Sequence, residues 1–123
     1  MEQSTSVAST QRREALRKEL QRIVATLIDK YQPEKIILFG SLATDRIHEW
    51  SDIDLLIIKE TEKRPLDRAL EAYSLLDNYR EPVDIIVYTP AEVELLLNEG
   101  SFFVADILTE GRILYEKTDY AVA

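Results

Sequence analysis

The sequence predicts an α/β (α+β) domain in which a small mixed β-sheet is flanked by helices. Two observations carry this. Short, continuous apolar runs rich in branched residues alternate with longer segments whose apolar residues recur every three or four positions. The order of these segments is helix, strand, strand, helix, strand, helix, helix, which suits a small sheet covered by helices rather than a bundle. The length of 123 residues falls short of the roughly 150 residues typical of one domain, so a single domain over 1–123 is expected.

Each element has its own signal. Residues 1–9 are polar and are expected to be flexible. Leu16, Leu20, Ile23, Val24, Leu27 and Tyr31 recur at helical spacing, predicting an amphipathic helix over about 10–31, with Pro33 just past its end. Ile36, Ile37, Leu38 and Phe39 form a continuous apolar run ending at Gly40, as a buried strand does. Residues 42–50 are polar and irregular, and Asp52 to Ile58 reads as a second strand. Pro65 suits a first helical turn, and Leu66, Ala69, Leu70, Tyr73 and Leu76 form a stripe continuing to about Tyr79. Val83 to Tyr88 is a third strand. Thr89, Pro90 and Glu92 spell a capping box with proline at the first helical position, opening a helix that stops at Gly100. Residues 102–109 are a further helical segment ended by Gly111, and Arg112 to Glu116 is a small terminal strand.

Composition excludes several chemistries. Cysteine is absent, which removes disulfide scaffolds, cysteine nucleophiles and cysteine-based zinc sites. The single histidine, His48, cannot build a histidine-cluster metal site. Fifteen basic against 23 acidic residues give a net charge of −8, the wrong sign for a general nucleic-acid binder or an anionic membrane surface. A polyanionic substrate would need bridging cations. No apolar stretch approaches the roughly 18 residues of a membrane span, and Met1 to Thr10 carry no leader pattern, so a cytoplasmic location is expected.

Three features at strand ends carry chemistry. Gly40-Ser41 follows a buried strand, where glycine lets the backbone turn closely and the hydroxyl and following N–H groups can hold phosphate oxygens. Alone, this pair reads as a plain strand-to-loop turn. In Ser51-Asp52-Ile53-Asp54 the strand period points Asp52 and Asp54 the same way and Ile53 into the core. Their α-carbons are about 6.6 Å apart, a spacing at which two carboxylates can hold paired divalent ions about 3.5–4 Å apart. Alone, they read as a solvated strand face. Asp84 enters the apolar run of the third strand, where a carboxylate must be hydrated, paired or metal-bound. On neighbouring strands the three would share one cleft and repel each other, and a metal would remove that penalty.

Together these residues resemble the nucleotidyltransferase superfamily related to DNA polymerase β, whose signature is Gly-Ser, a loop, Asp-x-Asp and a later aspartate. Leu38-Phe39-Gly40-Ser41-Leu42-Ala43 and Ser51-Asp52-Ile53-Asp54-Leu55-Leu56-Ile57-Ile58 look like its minimal nucleotidyltransferase (MNT) branch. The resemblance implies a polymerase β palm-like fold and transfer of a nucleoside monophosphate from a triphosphate to a hydroxyl, releasing pyrophosphate. By the same resemblance, Asp52, Asp54 and Asp84 are the catalytic residues and the ligands of two Mg2+ ions, with ATP as substrate. Asp84 would lie on the acceptor side, and Gly40 and Ser41 would hold the triphosphate. Many members read Gly-Ser-x-Ala-Arg-Gly where this chain has Gly40-Ser41-Leu42-Ala43-Thr44-Asp45. A basic partner of the leaving pyrophosphate is thereby lost, with Arg46 or Lys59 as replacements and His48 as a further phosphate contact.

Stand-alone members are commonly antitoxins paired with a helical HEPN ribonuclease toxin. The resemblance therefore implies a hetero-oligomer in which AMP passes to a toxin tyrosine, as in a type VII-like toxin–antitoxin pair. The alternatives are a module that neutralises its partner by contact alone, and a small-molecule transferase of the aminoglycoside type. The chain's length leaves no room for the acceptor-holding domain that a drug-modifying enzyme carries.

Overall fold

The structure, a computed structural model, describes residues 3–44, 46, 51–77 and 80–118, with side chains from residue 10 onwards. Helix α1 (Gln3–Thr26) runs into a π-helical turn, Leu27–Tyr31, and stops at Gln32, whose φ of 55° lies in the left-handed region. There follow β1 (Lys35–Phe39), β2 (Ile53–Ile58), α2 (Pro65–Ser74), β3 (Val83–Tyr88), α3 (Pro90–Asn98), α4 (Phe102–Glu110) and β4 (Arg112–Glu116). The four strands form one sheet in the order β3-β2-β1-β4. β1 is antiparallel to both β2 and β4, and β2 is parallel to β3 through the α2 crossover. The mixed sheet and its flanking helices agree with the sequence reading.

The sheet is covered on both faces, and strand alternation decides what goes where. Ile36, Leu38, Leu55, Ile57, Ile85 and Val87 face one way and join Leu16, Ile23 and Leu27 of α1 and Ala72 of α2 in the larger core. Ile37, Leu56 and Ile58 face the other way, against Val93 of α3 and Val104 and Ile107 of α4. The register sets Phe39, Asp54 and Asp84 side by side on that second face, at the end of the sheet beyond Ile37 and Leu56. Gly111 permits α4 and β4 to fold this tightly onto β1. A Cβ there would collide with the Ile107 carbonyl and lie 2.7 Å from Ile37 Cγ2.

Two expectations are corrected. α1 begins at Gln3, not near residue 10, so part of the stretch expected to be flexible is helical. Its lack of apolar periodicity gave no signal of this. The apolar stripe expected for α2 faces the core only at its end: Tyr73 and Leu76 pack into it, but Leu66 and Leu70 are 69% and 56% exposed, while Arg68 and Ala72 are buried. Arg68 turns inward because its donors are satisfied there. Nη1 and Nη2 meet Glu92 at 2.7 and 3.0 Å, Nε meets Lys63 C=O at 2.6 Å, and Nη1 meets Val87 C=O at 3.2 Å. α2 also ends at Ser74, and Tyr79 lies outside the described residues.

Candidate active site

The three aspartates come together. Asp54 is the second residue of β2, Asp84 the second residue of β3, and the two are register partners. Asp52 stands just ahead of β2, and the buried Ile53 between the two points the other way. One carboxylate oxygen of each aspartate lies within 4.8 Å of the others. Asp52 and Asp54 are half-buried and Asp84 is exposed, so the cluster opens to solvent on the β3 side. Burial, then the charges of Asp52 and Asp84, then a hydrogen bond with Asp84, push Asp54 up to about 7. Such a site carries a strongly negative potential that a proton or a cation relieves. A donor set made only of carboxylate oxygens fits a hard divalent ion such as magnesium.

Gly40 is tied to this cluster directly. Its φ is +80°, and a Cβ there would overlap Asp54 Oδ2 and lie 3.1 Å from Asp54 Cγ. Glycine thus serves twice, turning the chain and making room for the carboxylate. The turn that follows is closed by bonds to the Gly40 carbonyl from the N–H groups of Ala43 (3.1 Å) and Thr44 (3.2 Å), and by Arg46 N–H to Ser41 C=O at 2.9 Å. Leu42 and Ala43 are buried and anchor it. The Ser41 and Ser51 hydroxyls meet at 3.0 Å, joining the glycine-serine turn to the residue ahead of Asp52. Arg12 of α1 holds the same residue, donating from Nε (3.1 Å) and Nη2 (2.5 Å) to the Ser51 carbonyl, while its Nη1 pairs with Glu81.

Beside this turn lies a cleft of about 460 Å³, lined by Gly40, Ser41, Thr44 and Arg46 on one side and by Phe103, Asp106 and Glu110 of α4 on the other. Phe103 stands edge-on to Phe39, with ring centroids 5.9 Å apart. Arg46 therefore lines the cleft beside the Gly40-Ser41 turn. Lys59 does not. It follows the far end of β2, where Nζ donates to the Tyr31 carbonyl at 2.7 Å and sits 4.7 Å above the Tyr31 ring. Thr44 folds back on its own turn, its hydroxyl donating to Gly40 C=O at 3.3 Å. Asp45 and His48 lie outside the described residues. The cleft-lining residues of α4 carry no motif of their own, and only the fold brings them here.

The family profile for Polymerase beta, Nucleotidyltransferase matches residues 21–120. The chain belongs to this nucleotidyltransferase family. Two proteins of Methanocaldococcus jannaschii named as candidate protein adenylyltransferases are similar to this nucleotidyltransferase domain. One is 35% identical over 88 residues, covering 69% of this chain and 60% of its own length. The other is 36% identical over 103 residues, covering 80% of this chain and 96% of its own length. Among solved structures, a candidate nucleotidyltransferase of Sulfolobus solfataricus superposes with a TM-score of 0.64 at 18% identity, over 89% of this chain and 88% of that one. A chain of a toxin–antitoxin structure with AMP-PNP superposes with a TM-score of 0.50 at 23% identity, over 80% of this chain and 73% of that one. These two likenesses show that the nucleotidyltransferase domain has the fold expected of its family. Among the described residues no helix is long and apolar enough to cross a membrane.

Proposed function

We propose that this chain is a metal-dependent protein adenylyltransferase that moves AMP from ATP to a side-chain hydroxyl, a tyrosine of a HEPN-type toxin, and so acts as that toxin's antitoxin. The observation that carries the reading is the meeting of Asp52, Asp54 and Asp84 within 4.8 Å, against Gly40 and beside an open cleft. The adenylyltransferase names of the two archaeal relatives support the reaction class, and the toxin–antitoxin structure with AMP-PNP supports a toxin as partner and an adenine nucleotide as substrate.

Asp52, Asp54 and Asp84 would hold magnesium, which when bound offsets the triphosphate's charge and polarises the attacking and leaving oxygens. The chain's own residues do the rest. Gly40 and Ser41 present a hydroxyl and backbone to the triphosphate, and Arg46 supplies positive charge at the same wall of the cleft. The acceptor oxygen forms a bond to the α-phosphorus, the bond from that phosphorus to the β-phosphate oxygen breaks, and pyrophosphate leaves. Asp84, the most open of the three, faces the acceptor and takes the hydroxyl proton. With a net charge of −8, the protein suits an acceptor on a partner protein better than one on RNA.

The test is intact mass spectrometry of a HEPN-type toxin co-expressed with this chain. An added adenosine monophosphate on a tyrosine, lost in Asp84→Ala, is the expected result. An unmodified toxin that is still neutralised by the Asp52→Ala, Asp54→Ala and Asp84→Ala variants would replace this reading with neutralisation by contact alone. Thr44, standing where many relatives carry arginine and bonded back onto its turn, is the observation favouring that second reading.

A further inference from the structure

β3 is an edge strand, and its outward polar groups bracket Asp84. Ile53 N–H donates to Pro82 C=O at 3.0 Å and Lys59 N–H to Tyr88 C=O at 3.0 Å. By the alternation of a parallel ladder, Asp84 and Ile86 then turn their backbone groups towards β2, while Val83, Ile85 and Val87 turn theirs away from the sheet. Water would normally meet such an edge. Here Tyr73 of α2 reaches it instead. Its hydroxyl donates to Val83 C=O at 2.9 Å and accepts from Ile85 N–H at 2.8 Å.

Those two groups belong to the two peptide planes on either side of the Asp84 α-carbon. One plane sets its φ and the other its ψ, so a single hydroxyl bonded to both holds both dihedrals. The direction in which the Asp84 carboxylate leaves the strand follows from them. Only a group that donates and accepts at one atom can make this bridge. The Tyr73 ring packs against the core beneath, so the hydroxyl is held to a fixed point rather than to a swinging arm. Arg68 from the same helix caps Val87 C=O at 3.2 Å, so the far end of β3 is held separately.

We infer that Tyr73 is a positioning residue for Asp84, holding that carboxylate where it completes the cluster with Asp52 and Asp54. The inference rests on the proposed role of Asp84 at a metal site. Its test compares the unsubstituted protein, Tyr73→Phe, Asp84→Asn and the double variant. Manganese binding is followed by electron paramagnetic resonance in the presence of AMP-PNP, and each protein is melted without metal. Tyr73→Phe removes one oxygen and keeps the packed ring. It is expected to weaken manganese binding about tenfold, the low end for loss of a residue that orients a metal ligand. In the Asp84→Asn background it should weaken it no further, although the fall in melting temperature persists in both backgrounds. Unchanged manganese affinity in Tyr73→Phe, or an equal loss in both backgrounds, would overturn this inference while leaving the site intact, provided that Asp84→Asn alone weakens binding. Asp84→Asn binding manganese as tightly as the unsubstituted chain would overturn the proposed site and this inference with it.

Discussion

A side chain at position 40 and the carboxylate at position 54 compete for the same space, and the sequence resolves the competition with glycine. Gly40→Ala is therefore expected to act on Asp54 more than on the fold. The left-handed φ costs about 1–2 kcal/mol for a residue with a Cβ. The methyl group also pushes the Asp54 carboxylate out of the cluster, since that is the mobile partner. Calorimetry should show a modest fall in melting temperature but a loss of about tenfold or more in metal-dependent nucleotide binding, on the scale of disrupted ligand geometry. Asp54 also makes the site sensitive to pH. Its folded value of about 7 lies above the ordinary 3.8, so the metal-free folded chain keeps a proton that the unfolded chain has lost. The stability this contributes is complete below about pH 4 and is lost as pH rises towards 7. A cation competes with the same proton, so metal affinity should rise over the upper part of that window. Thermal melts of the metal-free protein from pH 4 to 8 are expected to fall across it, and Asp54→Asn should flatten the fall and melt a few degrees higher at pH 8. An unchanged slope in Asp54→Asn would assign the pH dependence to another group.

At the scale of elements, α2 is the piece that the sequence misrepresents. Leu66 and Leu70 look like a core-facing stripe, yet the helix buries Arg68. Hydrophobic periodicity cannot register a guanidinium whose donors are met by Glu92, Lys63 C=O and Val87 C=O, because those partners come from three other places in the chain. The capping box at Thr89 was legible because its parts are local. Thr89 Oγ1 accepts from Glu92 N–H at 3.1 Å, and Thr89 N–H donates to Glu92 Oε1 at 2.9 Å. What could not be read is that the same Glu92 also receives Arg68, which joins α2 to α3 across the edge of the sheet. Arg68→Met should cost about 2–3 kcal/mol, somewhat below a fully buried pair because Glu92 is partly exposed. Urea unfolding should show a lower midpoint at unchanged slope. The Arg68 guanidinium holds the Glu92 carboxyl below its ordinary range, so this contribution is present at neutral pH and is lost as pH falls through the lowered value. The gap between variant and unsubstituted protein should narrow in acid.

At the scale of the whole molecule, the order of elements and the meeting of the three aspartates were legible, for a shared reason. Continuous branched runs mark buried strands, and a carboxylate at the start of such a run stands out against them. Gly40 and Ser41 were legible as a turn, but their contacts with Asp54 and Ser51 needed the antiparallel pairing of β1 with β2. The α4 wall of the cleft and the Tyr73 bridge were not legible, because neither leaves a local pattern. They exist only once two distant segments are packed together.

The way β3 is finished bears on how the molecule behaves in a crowd of its own copies. An open strand edge is a template for another strand, and self-association through it is the standing hazard of small sheets. On β3, Tyr73 and Arg68 already occupy Val83 C=O, Ile85 N–H and Val87 C=O, so an incoming strand would have to displace them. The opposite edge, β4, is guarded by different means: it spans only Arg112–Glu116, carries a charge at each end, and its pairing with β1 shifts register between Ile36 and Ile37. Both edges are thus partly guarded against strand addition without the sheet being closed into a barrel, and the side chains that protect one side are the same ones that hold the strand bearing Asp84.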